Sequence, residues 1–381
     1  MSFNQYTWDL YKQTTIGIEM IKYFSDAGGY VLFKDYCPYA NFIPEDLYND
    51  WLENIYCYGV SDYDHPSLLE EAKDLYISLI TLGIRVEGQQ WLPANDFKNM
   101  LGIIQPMSYV LSQFAPEYFF PYLFLCRIFE LNKIADFFNI DLPNIPKRTD
   151  YKGRCMYYWE LCEVFYLFRK ENGLSPADLW SFLYDFAPNN LPSEKIDMPK
   201  PSQVWFIGGR LYQEDKSLES KFWQSSPETK KGDILVHYET SPISAITCIE
   251  ISLTDGVIDP LFRYYGCIYI GNRINIPHIT LKELQTDEYF FKHPLVRKNF
   301  QGVNGWSVNS ENYSELLRMI KTKGFDIEVL PKLYAPTLPK DVIIEYEHDV
   351  EQQLLEPLLN SMGWYENKDF IRQLPIQAGR G

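Results

Sequence analysis

The chain has 381 residues, long enough for two or three domains. It carries 35 basic and 51 acidic side chains for a net charge of −16, which excludes a surface coated throughout by nucleic acid. Apolar residues make up 46% and charged residues 23%, which excludes global disorder. No apolar run reaches the roughly 18 residues of a membrane-spanning helix.

The N-terminal segment reads as mainly helical. Ser67-Leu68-Leu69-Glu70 has the form of a capping box, with Glu70 reaching back to Ser67. Apolar residues then recur at helical spacing through Ala72, Leu75, Tyr76 and Leu79. Tyr118 to Phe138 is an apolar stretch of helical length, and Met156 to Phe168 is another. Between them and the first helix, Arg85 to Pro93 is a possible short hairpin. A helix pair followed by a hairpin can mark a winged helix, but an all-helical domain with one irregular loop is the favoured reading. Ser175-Pro176-Ala177-Asp178 opens a further helix, with Pro at its first position.

Two proline-rich stretches read as linkers: Ala187 to Pro192 running on to Pro201, and Leu330 to Pro339. They predict a helical domain over 1–198, a barrel over 199–330 and a short C-terminal segment over 335–381. The overall class is α+β and multidomain. The net charge is −11 over residues 1–200, −2 over 201–330 and −3 over 331–381, so the middle segment is the least opposed to a phosphate backbone. In that segment strand-length, β-branched and aromatic runs occur at 203–207, 233–238, 245–251 and 264–270, each bounded by Gly, Pro or Asp. This spacing predicts a small barrel, with helices at Thr280–Leu284 and Ser310–Lys321. In the last segment Asp341 to Met362 predicts a helix that Pro357 kinks and Gly363 stops. Ile371 to Ile376 could begin a strand.

Catalytic and metal signals are thin. The seven Cys include no C-x-x-C pair, so they read as reduced, mostly buried thiols, with Cys155 and Cys162 in core packing. No two of the five His have metal-ligand spacing, and His237 reads as facing solvent or a satisfied partner. No cofactor or metal is expected. The polar N-terminus lacks a signal-peptide core, so a cytoplasmic protein without a membrane partner is expected.

From Val204 to Met319 the sequence resembles the EVE domain of the PUA-like superfamily. The likeness rests on Val204-Trp205-Phe206, then Phe222-Trp223, then Lys231-Gly232-Asp233 through Tyr238, and on Ala245 to Ile251. It continues through Ile276 to Leu284, Leu295-Val296-Arg297 and Gln301-Gly302. It implies a small barrel that grips one flipped, often modified, base by stacking and by hydrogen bonds to the base edge. The candidate base-binding residues are Trp205, Phe206, Gly208, Gly209, Tyr212, Trp223, Tyr238, Glu239, Thr240, Ser241 and Trp306. Trp223 and Tyr238 are expected to form the cage. Glu239, Thr240 and Ser241 offer edge contacts or an ordinary turn before Pro242.

Glu351 through Leu359, then Met362-Gly363-Trp364-Tyr365 and Gly379-Arg380-Gly381, resemble the opening of a restriction-endonuclease-like domain. Glu351 would be that fold's first acidic residue, and the strands carrying its other metal ligands do not follow. The chain itself is therefore expected to be catalytically silent, as a truncated or remnant nuclease. Together the two resemblances imply the recognition part of a modification-dependent restriction system, with modified DNA favoured over RNA as partner. The alternatives are an RNA-binding PUA-like reader and a protein-interaction module with a degenerate barrel.

Overall fold

The computed structural model describes residues 3–37, 43–86, 89–192, 198–210, 220–334, 344 and 346–371. The chain is α+β and forms two compact units. One unit comprises 1–194 together with 258–265, and the other comprises 195–257 and 266–381.

The first unit is helical, with helices including Glu45–Ile55, Leu69–Leu82, Ile104–Phe114, Ile128–Phe138 and Tyr151–Glu171. Its core is dominated by large aromatic side chains, among them Trp8, Tyr76, Tyr109, Phe119 and Trp159. Burying so many rings requires partners for their polar tips. Tyr76 Oη donates to the Cys155 carbonyl at 2.6 Å, and Tyr158 Oη to the Phe120 carbonyl at 2.7 Å. Cys155 and Cys162 are both buried, and burial pushes each thiol up to about 12.

Four local expectations need correction. The helix after Ser67 begins at Leu69, one residue late, so Glu71 rather than Glu70 accepts from the Ser67 backbone N–H at 2.7 Å. The stretch from Tyr118 is helical only from Ile128, because Pro121 lies in an irregular run after a turn at 116–118 and Cys126 adopts a left-handed φ of 61°. The loop at 85–93 is a two-stranded antiparallel hairpin, β1 (Ile84–Val86) with β2 (Gln89–Leu92). At the first proline-rich stretch, Ala187–Asn190 is a last helical turn rather than linker.

Residues 258–265 leave the second unit's sequence and join the first. The buried Arg154 guanidinium holds them, donating from Nε to the Pro260 carbonyl at 2.8 Å and from Nη2 to the Phe262 carbonyl at 2.7 Å. Tyr265 Oη adds a bond to the Pro146 carbonyl at 2.6 Å.

The second unit is a curled mixed sheet. Its strands are β3 (Val204–Gly209), β4 (Ser220–Gln224), β5 (Ile234–Glu239), β6 (Ala245–Ser252), β7 (Val257–Ile258), β8 (Gly266–Thr280) and β9 (Trp306–Val308). The order is β4-β8-β6-β5-β3-β9, with β7 pairing β8. Only β3 and β5 run parallel among the paired strands described. β8 is far longer than the run predicted from residue 264. Side chains alternate between the two faces. One face packs Val204, Phe206, Val236, Tyr238 and Ile249 against the helices Leu281–Thr286 and Ser310–Thr322. The other, inner face carries Trp205, Ile207, Leu235, Ile268 and Ile270, with Trp223 against them.

In the tail, Glu347–Val350, a π-helical turn Glu351–Leu355 and Glu356–Ser361 follow one another, so the chain absorbs Pro357 by widening the turn before it. Gly363, at φ 83°, stops the helix as expected. The strand expected from Ile371 lies outside the described residues except for Ile371 itself.

Candidate binding face of the curled sheet

Trp205, Leu235, His237 and Glu250 face one another because β3, β5 and β6 pair in the register Trp205↔Leu235↔Glu250. Two polar clusters stand on this inner face. The first anchors Trp205. Its Nε1 donates to Asp233 Oδ2 at 2.9 Å, and the same carboxylate accepts from the Lys230 backbone N–H at 2.8 Å and from the Gln203 backbone N–H at 3.1 Å. Trp205 is therefore a buried, fixed floor.

The second cluster is ionic. Glu250 is only 2% exposed, and His237 is fully buried. Glu250 Oε2 lies 2.9 Å from His237 Nδ1, and Oε1 accepts from Arg273 Nε at 2.9 Å with Arg273 Nη2 at 2.8 Å. Lys221 Nζ approaches Oε1 to 4.0 Å. Burial alone would raise the Glu250 carboxyl. The His237 bond and the Arg273 and Lys221 charges overcome it and hold the carboxyl below its ordinary value. For His237 burial wins over the bond to Glu250, and the ring is kept neutral. An ionised carboxylate can only accept, so the ring proton sits on Nδ1 and Nε2 is left as an acceptor. That Nε2 is buried with no hydrogen-bond partner among the described residues.

Trp223 stands over this pair. Its ring is half-buried, 4.8 Å from the His237 ring in an edge-to-face arrangement, with Lys221 Nζ 5.2 Å from its centroid. Trp223 Nε1 donates to Asn304 Oδ1 at 3.3 Å, the Gly208 backbone N–H donates to the same oxygen at 2.8 Å, and Asn304 Nδ2 donates to Gln224 Oε1 at 3.2 Å. The glycine pair serves this packing. A Cβ on Gly209 would lie 2.6 Å from Trp223 Cζ2, and one on Gly208 2.5 Å from Val303 Cγ1.

The sheet divides the other candidate residues. Tyr238 points to the opposite face, stacked on Phe300 at 4.0 Å between centroids. Trp223 and Tyr238 thus form no cage with each other, because strand alternation sends them to opposite sides. Phe206 lies on that far face too, and Trp306 pairs with it and packs there. Glu239 is buried at the end of β5, whereas Thr240 and Ser241 are exposed in the turn to β6, where Arg210 Nε donates to the Ser241 carbonyl at 3.1 Å. Tyr212 lies outside the described residues. Glu351 sits in the tail helix, part-exposed.

His237, Cys248 and Glu250 bring one donor atom each within 4.8 Å, the only group of metal-ligand type among the described residues. Arg273 and Lys221 already neutralise Glu250 there, and burial pushes the Cys248 thiol up to about 12. Two cations beside the carboxylate and a protonated thiol fit a metal ion poorly. His237, expected to face solvent or a satisfied partner, is buried with Glu250 as that partner; Lys221, Arg273, Asn304 and Gln224 were not singled out as site residues. The one available signal was Glu250, a lone charge in the apolar run Ala245 to Ile251, which needs a buried partner.

Among the described residues no helix is long and apolar enough to cross a membrane. No family model matches the chain, and no curated protein matches it. Solved structures similar to part of it include the NMR structure of Rpa0253 from Rhodopseudomonas palustris, 14% identical, covering 32% of this chain and 94% of that one with a TM-score of 0.28. The crystal structure of Atu2648 from Agrobacterium tumefaciens is 17% identical and covers 35% of this chain and all of that one, with a TM-score of 0.29. A hypothetical protein from Leishmania major covers 32% of this chain at 12% identity, with a TM-score of 0.27.

Proposed function

We propose that the curled sheet is an EVE-like PUA-fold barrel that reads one base of a nucleic acid, modified DNA being favoured, as the recognition part of a restriction or defence nuclease. The observation that carries this reading is the inner face at Trp223: a half-exposed indole beside a fully buried imidazole whose Nε2 acceptor is unspent. An indole face holds any base by stacking, and an unspent acceptor selects a base edge that offers an N–H. A flipped base meets both requirements. Lys221 and Arg273 place two positive charges against one carboxylate on this face, a surplus of one. That suits about one phosphate contact, so the salt dependence of binding has a slope of roughly −0.7 to −0.9.

A binding screen of the full chain against oligonucleotides carrying different modified bases tests the reading. Preference for one modified base over its plain parent is expected. Equal binding of all oligonucleotides, or of none, overturns it; in the second case the interaction-module reading takes its place. With Mg²⁺ or Mn²⁺ the chain is expected to leave DNA uncut, since a single acid at Glu351 cannot hold the ion and prepare the water. Cleavage abolished by Glu351→Ala overturns that expectation.

A further inference from the structure

The helical unit contains a second feature, independent of the sheet. It is a cavity of ≈ 460 Å³ whose walls come from the helices Gly29–Tyr36 and Glu45–Ile55, residues 101–106, residues 122–126 and residues 261–263. A volume in this range suits a small organic molecule. Phe33, Tyr48, Trp51, Tyr122 and Phe262 give it an aromatic lining, and the exposed Arg263 is the one charged residue among those that line it.

Two buried phenols stand in this wall. The hydroxyl of Tyr48 has no hydrogen-bond partner among the described residues, whereas that of Tyr122 is turned to the buried Asp259 carboxylate. A buried donor without an acceptor costs on the order of 1–3 kcal/mol, so Tyr48 is a place where a ligand atom gains more than it would in water. Neither ring is free to turn away. Tyr48 stacks on Phe33 at 3.8 Å, and the Tyr122 backbone N–H is bound to Ser108 Oγ at 2.9 Å. The wall at 260–262 is held by Arg154 and by Asp259, whose Oδ1 accepts from the Leu261 and Phe262 N–H groups at 2.9 and 3.1 Å. The cavity is thus preorganised.

We propose that this cavity binds a small aromatic carboxylate, its ring against the aromatic wall, its carboxylate at Arg263, and an oxygen at the far end of the ring accepting from Tyr48. Charge decides the head group, since Arg263 is the sole lining charge among the described residues and its fork suits a carboxylate. The unpaired Tyr48 phenol decides the second polar atom.

Gly102 supplies the test. It lines the cavity, and a Cβ built there meets no atom within 4 Å. Gly102→Leu therefore fills the space without forcing the backbone. The probes are 2-naphthoate, 6-hydroxy-2-naphthoate and the neutral 2-naphthol, measured by calorimetry and by melting of the full chain. The parent is expected to bind both naphthoates and to melt higher as their concentration rises. Gly102→Leu is expected to weaken both by at least about tenfold while the ligand-free melting temperature holds. Arg263→Gln should weaken the naphthoates and leave 2-naphthol unchanged, and Tyr48→Phe should erase the gain from the 6-hydroxyl. Failure of the parent to bind either naphthoate overturns the proposal, as does undiminished binding by Gly102→Leu. If Gly102→Leu lowers the melting temperature of the free chain, Arg263→Gln decides: equal loss for naphthoate and naphthol refutes the carboxylate assignment.

Discussion

Removing the Glu250 carboxylate should open the sheet far more than removing a surface charge. Glu250 is 2% exposed and sits between His237 Nδ1 at 2.9 Å, Arg273 Nε at 2.9 Å and Lys221 Nζ at 4.0 Å. Glu250→Ala leaves two cations facing each other in a buried place and strips His237 Nδ1 of its acceptor. Breaking a buried pair from one side costs about 3–5 kcal/mol. At 1.36 kcal/mol per factor of ten this is a rise in opening of roughly 10²- to 10⁴-fold. Hydrogen exchange of the β5 and β6 amides in the full chain reads it directly. Glu250→Gln, which keeps an acceptor but not the charge, should fall between parent and Ala. The pH dependence follows in sign. The Glu250 carboxyl is held below its ordinary 4.5, so its contribution is present above pH 4.5 and lost as pH falls through the lower native value. His237 is held below its ordinary 6.5, so its contribution is present above pH 6.5 and lost as pH falls below it. Both act the same way, and protection of β5 and β6 should decline on acidification from about pH 6.5. A change under about fivefold in Glu250→Ala, or protection that rises on acidification, refutes the reasoning.

In the helical unit, burial pushes the fully buried Asp259 up to about 7 from 3.8. Its folded value is raised, so stability is full below pH 3.8, falls as pH rises through about 7 and is flat above. Asp259→Asn cannot ionise, so its melting temperature relative to the parent should be higher at pH 8 than at pH 5; a difference independent of pH contradicts this. Gly209→Ala places a Cβ 2.6 Å from Trp223 Cζ2 and should displace the indole. Oligonucleotide binding should then fall as it does for Trp223→Ala, with the melting temperature little changed, and unaltered binding by a folded Gly209→Ala would show that the ring's position does not matter.

Much of the sheet was legible because β-branched runs between Gly and Pro have one backbone solution. Val204-Trp205-Phe206-Ile207 and Asp233 to Tyr238 are strands for that reason. β8 was only half legible. Its second half, Asn272 to His278, sets Asn272, Arg273 and Asn275 among Ile274 and Ile276 and contains Pro277, and it stays extended through its pairing with β6. The hairpin at Ile84–Leu92 was offered but set below an irregular loop, because Arg85, Glu87, Gln89 and Gln90 mix with apolar residues over a span too short for periodicity to decide. The break before Ile128 was missed because composition from Tyr118 is almost all apolar, and periodicity alone does not separate a buried turn from a helix. The inner face was legible at Trp223 and Trp205 and illegible in its ionic cluster. Lys221, His237, Glu250 and Arg273 come from four strands, and their meeting depends on register and on bulges between His237 and Tyr238 and within β6. The Trp223–Tyr238 pairing failed on the same ground, since which face a residue takes is fixed by register rather than by residue type.

The central claim is that Trp223 holds a base. Stacking on an aromatic ring contributes roughly 1–3 kcal/mol per base, so Trp223→Ala should weaken binding of the preferred modified oligonucleotide about 5- to 150-fold. The measurement is the dissociation constant of parent and variant for modified and plain oligonucleotides at one salt concentration, in samples whose melting temperatures match. The account predicts a loss in that range for the modified oligonucleotide and convergence of the variant's two affinities. A folded Trp223→Ala that binds both oligonucleotides as the parent does contradicts it.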